Sequence, residues 1–206
     1  MRIVCISDTH SLHGQFPVPD GDVLVHAGDA TRRGTERELR DFDRWLGTLP
    51  HRHKVVIAGN HDFGFQTQPG ASGWITNAHY LQDRSVVLEG VRFYGSPWQP
   101  WFHDWAFNLP RGEELRRVWD RIPAGTDVLL THGPPHGVLD RTEEGETVGC
   151  EELARAVTRV RPRLHVFGHI HEGYGQVVMD GVRYVNASVC DVRYRPVQAP
   201  VVVELT

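Results

Sequence analysis

Residues 55–62 read Val55-Val56-Ile57-Ala58-Gly59-Asn60-His61-Asp62. Four apolar residues, three of them β-branched, run straight into four turn-forming residues of mixed chemistry. That is the pattern of a buried strand ending in a loop. It recurs four times. Ile3–Ile6 leads to Asp8-Thr9-His10, Val23–Val25 to Gly28-Asp29, Val128–Leu130 to Thr131-His132-Gly133, and Val166-Phe167 to Gly168-His169-Ile170-His171. Five short strands therefore deliver Asp, His or Asn at their carboxyl ends, the edge where ligands of open α/β sheets bind.

Helical patterns separate these strands. Thr35–Leu49 opens with a capping box, Glu38 standing three residues after Thr35, and carries Leu39, Phe42 and Leu46 on one face. Glu113–Ile122 groups Leu115, Val118, Trp119 and Ile122, while Glu151–Val160 groups Leu153, Ala156, Val157 and Val160 ahead of Pro162. Residues 86–94 and 177–185 read as hairpins, the second with Asp180-Gly181 at its turn, and Val201–Leu205 reads as a last strand. Strands alternating with helices give an α/β fold, and the hairpins make its sheets mixed. The expectation is one domain over residues 1–206, with two packed sheets and the helices outside. Residues 63–78 and the aromatic stretch 96–110 read as irregular.

Composition narrows the function. The chain has 26 acidic and 22 basic residues, a net charge of −4, 13 histidines and only 3 cysteines. A mildly acidic chain does not suit general nucleic-acid binding. Cys5, Cys150 and Cys190 are few and far apart, which suggests no disulfide framework; burial in a reducing cytoplasm is expected. The apolar run after Met1 is too short for a signal peptide or a membrane span. No membrane partner is expected, and the sequence carries no signal of oligomeric state.

Histidine is the commonest metal ligand, and the strand-end residues fit two divalent cations. One carboxylate must bridge the pair, and Asp29 is the natural candidate. Asp8, His10 and His171 would hold the first ion, and Asn60, His132 and His169 the second. Imidazole, carboxylate and amide oxygen suit Mn, Fe, Zn, Co or Ni, with Mn or Fe favoured, and no cysteine is placed for a thiolate site. Water between the ions would become a hydroxide nucleophile near neutral pH. His61 would then face substrate as the acid for the leaving oxygen. Asp62 is a plausible orienter of that ring, although turn capping explains it equally well.

The series Asp8-x-His10, Gly28-Asp29, Gly59-Asn60-His61-Asp62, His132 and Gly168-His169-x-His171 resembles the calcineurin-like metallophosphoesterases. The segments Gly95-Ser96-Pro97-Trp98, Thr131-His132-Gly133-Pro134-Pro135, Phe167–Gly175 and Asn186-Ala187-Ser188 look most like its metallophosphoesterase-domain-containing (brain 239-like) branch. The resemblance implies a four-layer α-β-β-α sandwich and a dinuclear metal centre that cleaves phosphoesters, with the metal-ligand roles given above. It also implies phosphodiesterase activity on nucleotides or small diesters, and AMP or GMP as a further ligand. Some members of the branch replace the first His of Gly-His-x-His by Gly, whereas this chain has His169.

Other readings stay open. One is a nucleotide-monophosphate-binding protein with little turnover. Another is a structural metal site, but those are closed and usually contain sulfur. His13 and Asn186 are further candidates for substrate contact, against exposure for His13 and turn hydrogen bonds for Asn186. His26, inside an apolar strand, reads as a satisfied core ring. The rings from Trp98 to Phe107 either wall a base-stacking site or pin their own loop to the body, and packing is the expectation.

Overall fold

The computed structural model describes residues 1–205. One sheet has five strands in the order β13-β1-β2-β3-β4: Arg2–Ile6 (β1), Val23–His26 (β2), His53–Val56 (β3), His79–Tyr80 (β4) and Val201–Glu204 (β13). β1 to β4 run parallel, and β13 pairs antiparallel with β1. The other sheet has six strands in the order β11-β12-β10-β9-β6-β5: Arg84–Leu88 (β5), Val91–Ser96 (β6), Val128–Thr131 (β9), Leu164–Phe167 (β10), Gly175–Met179 (β11) and Val182–Asn186 (β12). Its four central strands are parallel, and β5 and β11 are the antiparallel arms of the two expected hairpins. Gln99–Pro100 (β7) and Asn108–Leu109 (β8) form a small ribbon.

The sheets are mixed and face each other across one apolar layer. Ile3, Cys5, Val25 and Val55 from the first meet Phe93, Val128, Val166 and Val185 from the second. A parallel strand buried on both sides is predominantly apolar, which is why these runs do not alternate; the exceptions His26 and His165 are bonded to threonine hydroxyls. The outer face of the first sheet, with Val4, Leu24 and Val56, packs on Phe42 and Leu46 of Glu36–Thr48 (α1). The outer face of the second, with Tyr94, Leu129 and Phe167, packs on Glu113–Trp119 (α3) and Glu151–Val160 (α4). Four layers result: helix, sheet, sheet, helix.

Local chemistry sets the element ends. Thr35 and Glu38 form the reciprocal capping box at the start of α1. Cys150 caps α4, its sulfur accepting from the Leu153 N–H. All three cysteines are buried and unpaired. The stretch 63–78 is more ordered than its sequence suggests, with a short helix at Phe63–Thr67 (α2) and a 3-10 turn at Ala71–Trp74. Neither has the length or periodicity that makes a helix readable. No helix of the described residues is long and apolar enough to cross a membrane.

Candidate metal centre

The parallel strands of both sheets end at one edge, and a parallel bridge between Ser7 and Ser188 ties the sheets together there. The chain leaves the strands sharply. Asp8, His10, Asp29 and His169 all have left-handed backbones, with φ of 54°, 43°, 56° and 67°. Non-glycine residues avoid that region unless the surroundings impose it, and such strain clusters at functional sites. At Gly168 a side chain is sterically excluded, since a Cβ would overlap the Asp8 carboxylate and the Ser7 hydroxyl.

Asp8 and Asp29 are buried at the centre. Asp8 accepts from the Ser188 hydroxyl at 2.8 Å and the His169 N–H at 3.0 Å. Its other oxygen faces His171 Nε2 at 3.4 Å. Asp29 accepts from the His61 N–H at 2.8 Å and presents its second oxygen to His132 Nε2 at 3.4 Å and His61 Nε2 at 3.8 Å. The Asn60 amide oxygen lies 2.8 Å from His132 Nε2.

Three rings are oriented by backbone carbonyls, which can only accept. Nδ1–H of His132 donates to Ala27, that of His171 to Asp191 and that of His61 to Arg32. Each ring therefore turns Nε2 inward, the arrangement by which outer partners fix the tautomer of a ligating histidine. Three groups of ligand atoms lie within 4.8 Å of one another: Asp8, His10 and His171; His10, Asp29 and His61; Asp8, Asp29 and His132. His10 and His171 face each other Nε2 to Nε2 at 3.3 Å, and His10 Nδ1 is buried without a partner. Two buried carboxylates and converging imidazole nitrogens form a donor set that fits divalent transition metals.

The electrostatics agree. Burial pushes the Asp8 and Asp29 carboxyls up, but the facing histidines (chiefly His171 for Asp8 and His132 for Asp29) hold both below the usual carboxylate range. Burial pulls His132 and His171 down, yet Asp29 and Asp8 outweigh it and raise each to about 9. His10 is pushed down by burial to about 4 and His169 to about 3. The raised values of His132 and His171 favour their protonated forms in the metal-free protein, and cation binding would displace those protons.

The remaining candidates stand differently around this centre. His169 lines the same cleft, but its ring nitrogens lie outside the three clusters; the ring packs edge-on to His132 at 5.0 Å and to Phe102 at 5.6 Å. His13 does not line the cleft. It lies against Trp45, Phe42 and Asp41 beside α1. The Asn186 amide is taken up inside the protein, donating to Ile170 O and accepting from Ser188. Asp62 does not orient the His61 ring, which Arg32 O holds instead. Its buried carboxylate accepts from the N–H groups of Ala30, Thr31 and Gly59 and from the Thr31 hydroxyl, joining the loops after β2 and β3. Burial and the Asp29 charge raise that carboxyl to about 6. His26 is the satisfied core ring expected, bonded to Thr9 Oγ1 and the Gly28 N–H.

The cleft beside the centre has a volume of about 380 Å³. The aromatic loop divides its labour: Phe107 is buried and Trp98 packs on it at 5.6 Å, whereas Trp101 and Phe102 are exposed at the cleft wall. Trp105 lies 4.0 Å from the His61 ring, and Tyr194 lines the cleft 4.7 Å from the His10 ring. The sequence reading assigned nothing to Ser188 singly, to the Arg32 carbonyl or to Tyr194. No spacing rule points to them, because their roles arise from tertiary contacts.

A family model described as Calcineurin-like phosphoesterase matches residues 1–173. The chain belongs to the calcineurin-like phosphoesterase family. It is 49% identical over 230 aligned residues to the human protein Metallophosphoesterase domain-containing protein 1, covering 99% of this chain and 71% of the relative; the mouse protein of that name gives the same figures. The fold is shared more widely. A solved crystal structure superposes with a TM-score of 0.69 at 17% identity, covering 90% of this chain and 89% of its own. A Thermus thermophilus structure gives 0.59 at 15% identity, with 90% and 88% covered. As a calcineurin-like phosphoesterase, the chain is a metal-dependent hydrolase of phosphoesters.

Proposed function

We propose that this phosphoesterase is a phosphodiesterase that works with two divalent transition-metal ions, Mn or Fe foremost, on nucleotides or small diesters. One observation carries the diester preference. Among the described residues the only Lys or Arg lining the cleft is Arg111, whose two terminal nitrogens donate one each to the Gly149 and Val148 carbonyls. A monoester brings two negative charges and calls for a free cationic fork. A diester brings one, and its second organic arm suits the apolar surface offered by Trp101, Phe102 and Val192.

Asp8, His10 and His171 would hold one ion and Asn60, His132 and His169 the other, with Asp29 between them. Bound there, such ions supply Lewis acidity and an activated water. The chain does the rest. Asp8 and Asp29 are locked by Ser188 Oγ and the His61 N–H, so the donor set is preorganised. His61, its Nδ1–H on Arg32 O, turns Nε2 to the cleft, where in its protonated form it donates to the departing oxygen. Buried, unpaired cysteines suit a reducing compartment, and a cytoplasmic site of action is part of the same proposal.

The test is a metal-reconstituted activity panel. Bis(p-nitrophenyl) phosphate and cyclic nucleotides should be hydrolysed in preference to p-nitrophenyl phosphate and AMP. A panel in which monoesters are preferred refutes the diester reading. Negligible turnover with every metal, together with co-purified AMP or GMP, would favour a nucleotide-binding role instead.

A further inference from the structure

The loop after Cys190 follows none of the five strand-end motifs, yet it closes one side of the cleft. Asp191 is bonded at both ends. Its carbonyl accepts from His171 Nδ1–H at 2.9 Å and from the Tyr194 N–H at 2.8 Å. Its carboxylate accepts from the N–H groups of Arg193 and Arg195 at 2.9 Å each, and from Arg195 Nε at 2.8 Å. This clasp holds Tyr194 at φ 57°, a conformation disfavoured for any residue with a bulky side chain.

The strained backbone places the phenol ring over the imidazoles. The ring lies 4.7 Å from His10, 5.6 Å from His171 and 6.1 Å from His61. It is still 46% exposed and lines the cleft, so part of it is free for a ligand. Trp105 covers His61 at 4.0 Å. A group leaving phosphorus within reach of His61 Nε2 therefore departs near both rings, and of the two Tyr194 is the one that lines the cleft.

We propose that Tyr194 is a specificity-determining residue: it forms the wall that receives the leaving ester arm, and it selects a planar aromatic or heteroaromatic arm over a compact alkyl one. The inference rests on the phosphodiesterase reading with His61 as the acid. A ring face offers stacking to a planar group and little to a tetrahedral one. The Asp191–Arg195 clasp keeps that face in place before substrate arrives.

The experiment compares two diesters with the same retained arm and leaving groups of matched acidity, one aryl and one fluorinated alkyl. It reads the aryl-to-alkyl ratio of kcat/KM on metal-loaded protein, with bound metal measured for every variant. Tyr194→Ala should lower that ratio about tenfold at unchanged metal content, the size expected for one aromatic contact. Tyr194→Phe should keep it within twofold. If Tyr194→Ala loses metal through its neighbour His171, Tyr194→Leu fills the space without a ring face and faces the same two outcomes. A ratio unmoved in the ring-less variant overturns the inference, as does an equal fall in Tyr194→Phe. Wild-type protein that cleaves neither diester refutes the phosphodiesterase reading and this inference with it, whereas wild-type cleavage of both with an unmoved ratio refutes the inference alone.

Discussion

Asp62 sits beside two site residues, and the structure makes it a brace rather than a catalyst. Replacing it by Asn tests that assignment at nearly constant volume. One carboxylate oxygen accepts from Thr31 N–H at 2.9 Å and Thr31 Oγ1 at 2.7 Å; the other accepts from Gly59 N–H at 2.9 Å and Ala30 N–H at 3.2 Å. Whichever way an Asn amide is turned, its NH2 meets at least one backbone N–H. A buried donor left unpaired costs about 1–3 kcal/mol, and the better amide orientation strands only the Thr31 N–H, so Asp62→Asn should destabilise the protein by about 1–3 kcal/mol. For a domain of this size that is a fall in Tm of about 2–12 °C. The assay is thermal unfolding of the metal-loaded protein, followed by turnover at a temperature well below both transitions. Turnover per folded, metal-loaded molecule should stay within about tenfold of wild type, since acids and bases that act directly contribute about 10²–10⁴. An Asp62→Asn protein with an unchanged Tm and turnover down more than a hundredfold would refute the reasoning.

Three further outcomes are expected. His61→Ala should lower kcat by about 10²–10⁴ while metal content stays unchanged, as read by elemental analysis beside steady-state kinetics; full activity would remove His61 from the mechanism. Gly168→Ala would drive a Cβ into the Asp8 carboxylate, so the folded variant should bind metal far more weakly by calorimetric titration. His165 is fully buried, and burial lowers its folded pKa to about 3, below that of the unfolded chain. The unfolded chain therefore takes up a proton as pH falls below about 6.5 while the folded one does not, and stability is lost on the acid side. Denaturant melts from pH 7 to 4.5 should show His165→Gln losing less stability than wild type, by about 1 kcal/mol per pH unit; parallel curves would contradict this.

The sequence was most informative where one residue type had to do one thing in one place. Strands sandwiched between two layers are predominantly apolar, so their ends stand out, and Asp8, Asp29, Asn60, His132 and His171 could be located from those ends. Helix α1 was legible because its cap is local, Thr35 and Glu38 bonding only to each other. What was not legible depends on distant partners. Asp62 resembles a turn residue or a catalytic orienter until Ala30 and Thr31, more than thirty residues away, are seen to donate to it. His13 follows His10 closely, but the chain turns it away toward Trp45. Tyr194 sits in a loop without a motif, and the Ser7–Ser188 bridge and the Asp191 carbonyl, bonded to His171, hold that loop at the centre. The aromatic loop satisfied both of its readings, because Trp98 and Phe107 pack while Trp101 and Phe102 face the cleft.

A phosphoesterase whose strand-end residues hold two metal ions should depend on both of them. Titrating metal-free protein with Mn²⁺ while following bound metal and bis(p-nitrophenyl) phosphate hydrolysis tests that dependence most directly. About two ions should bind per chain, protons should be released as His132 and His171 exchange them for metal, and hydrolysis should require the loaded centre. Full activity in the metal-free protein, or saturation of activity at one ion per chain, would rule out a two-metal centre.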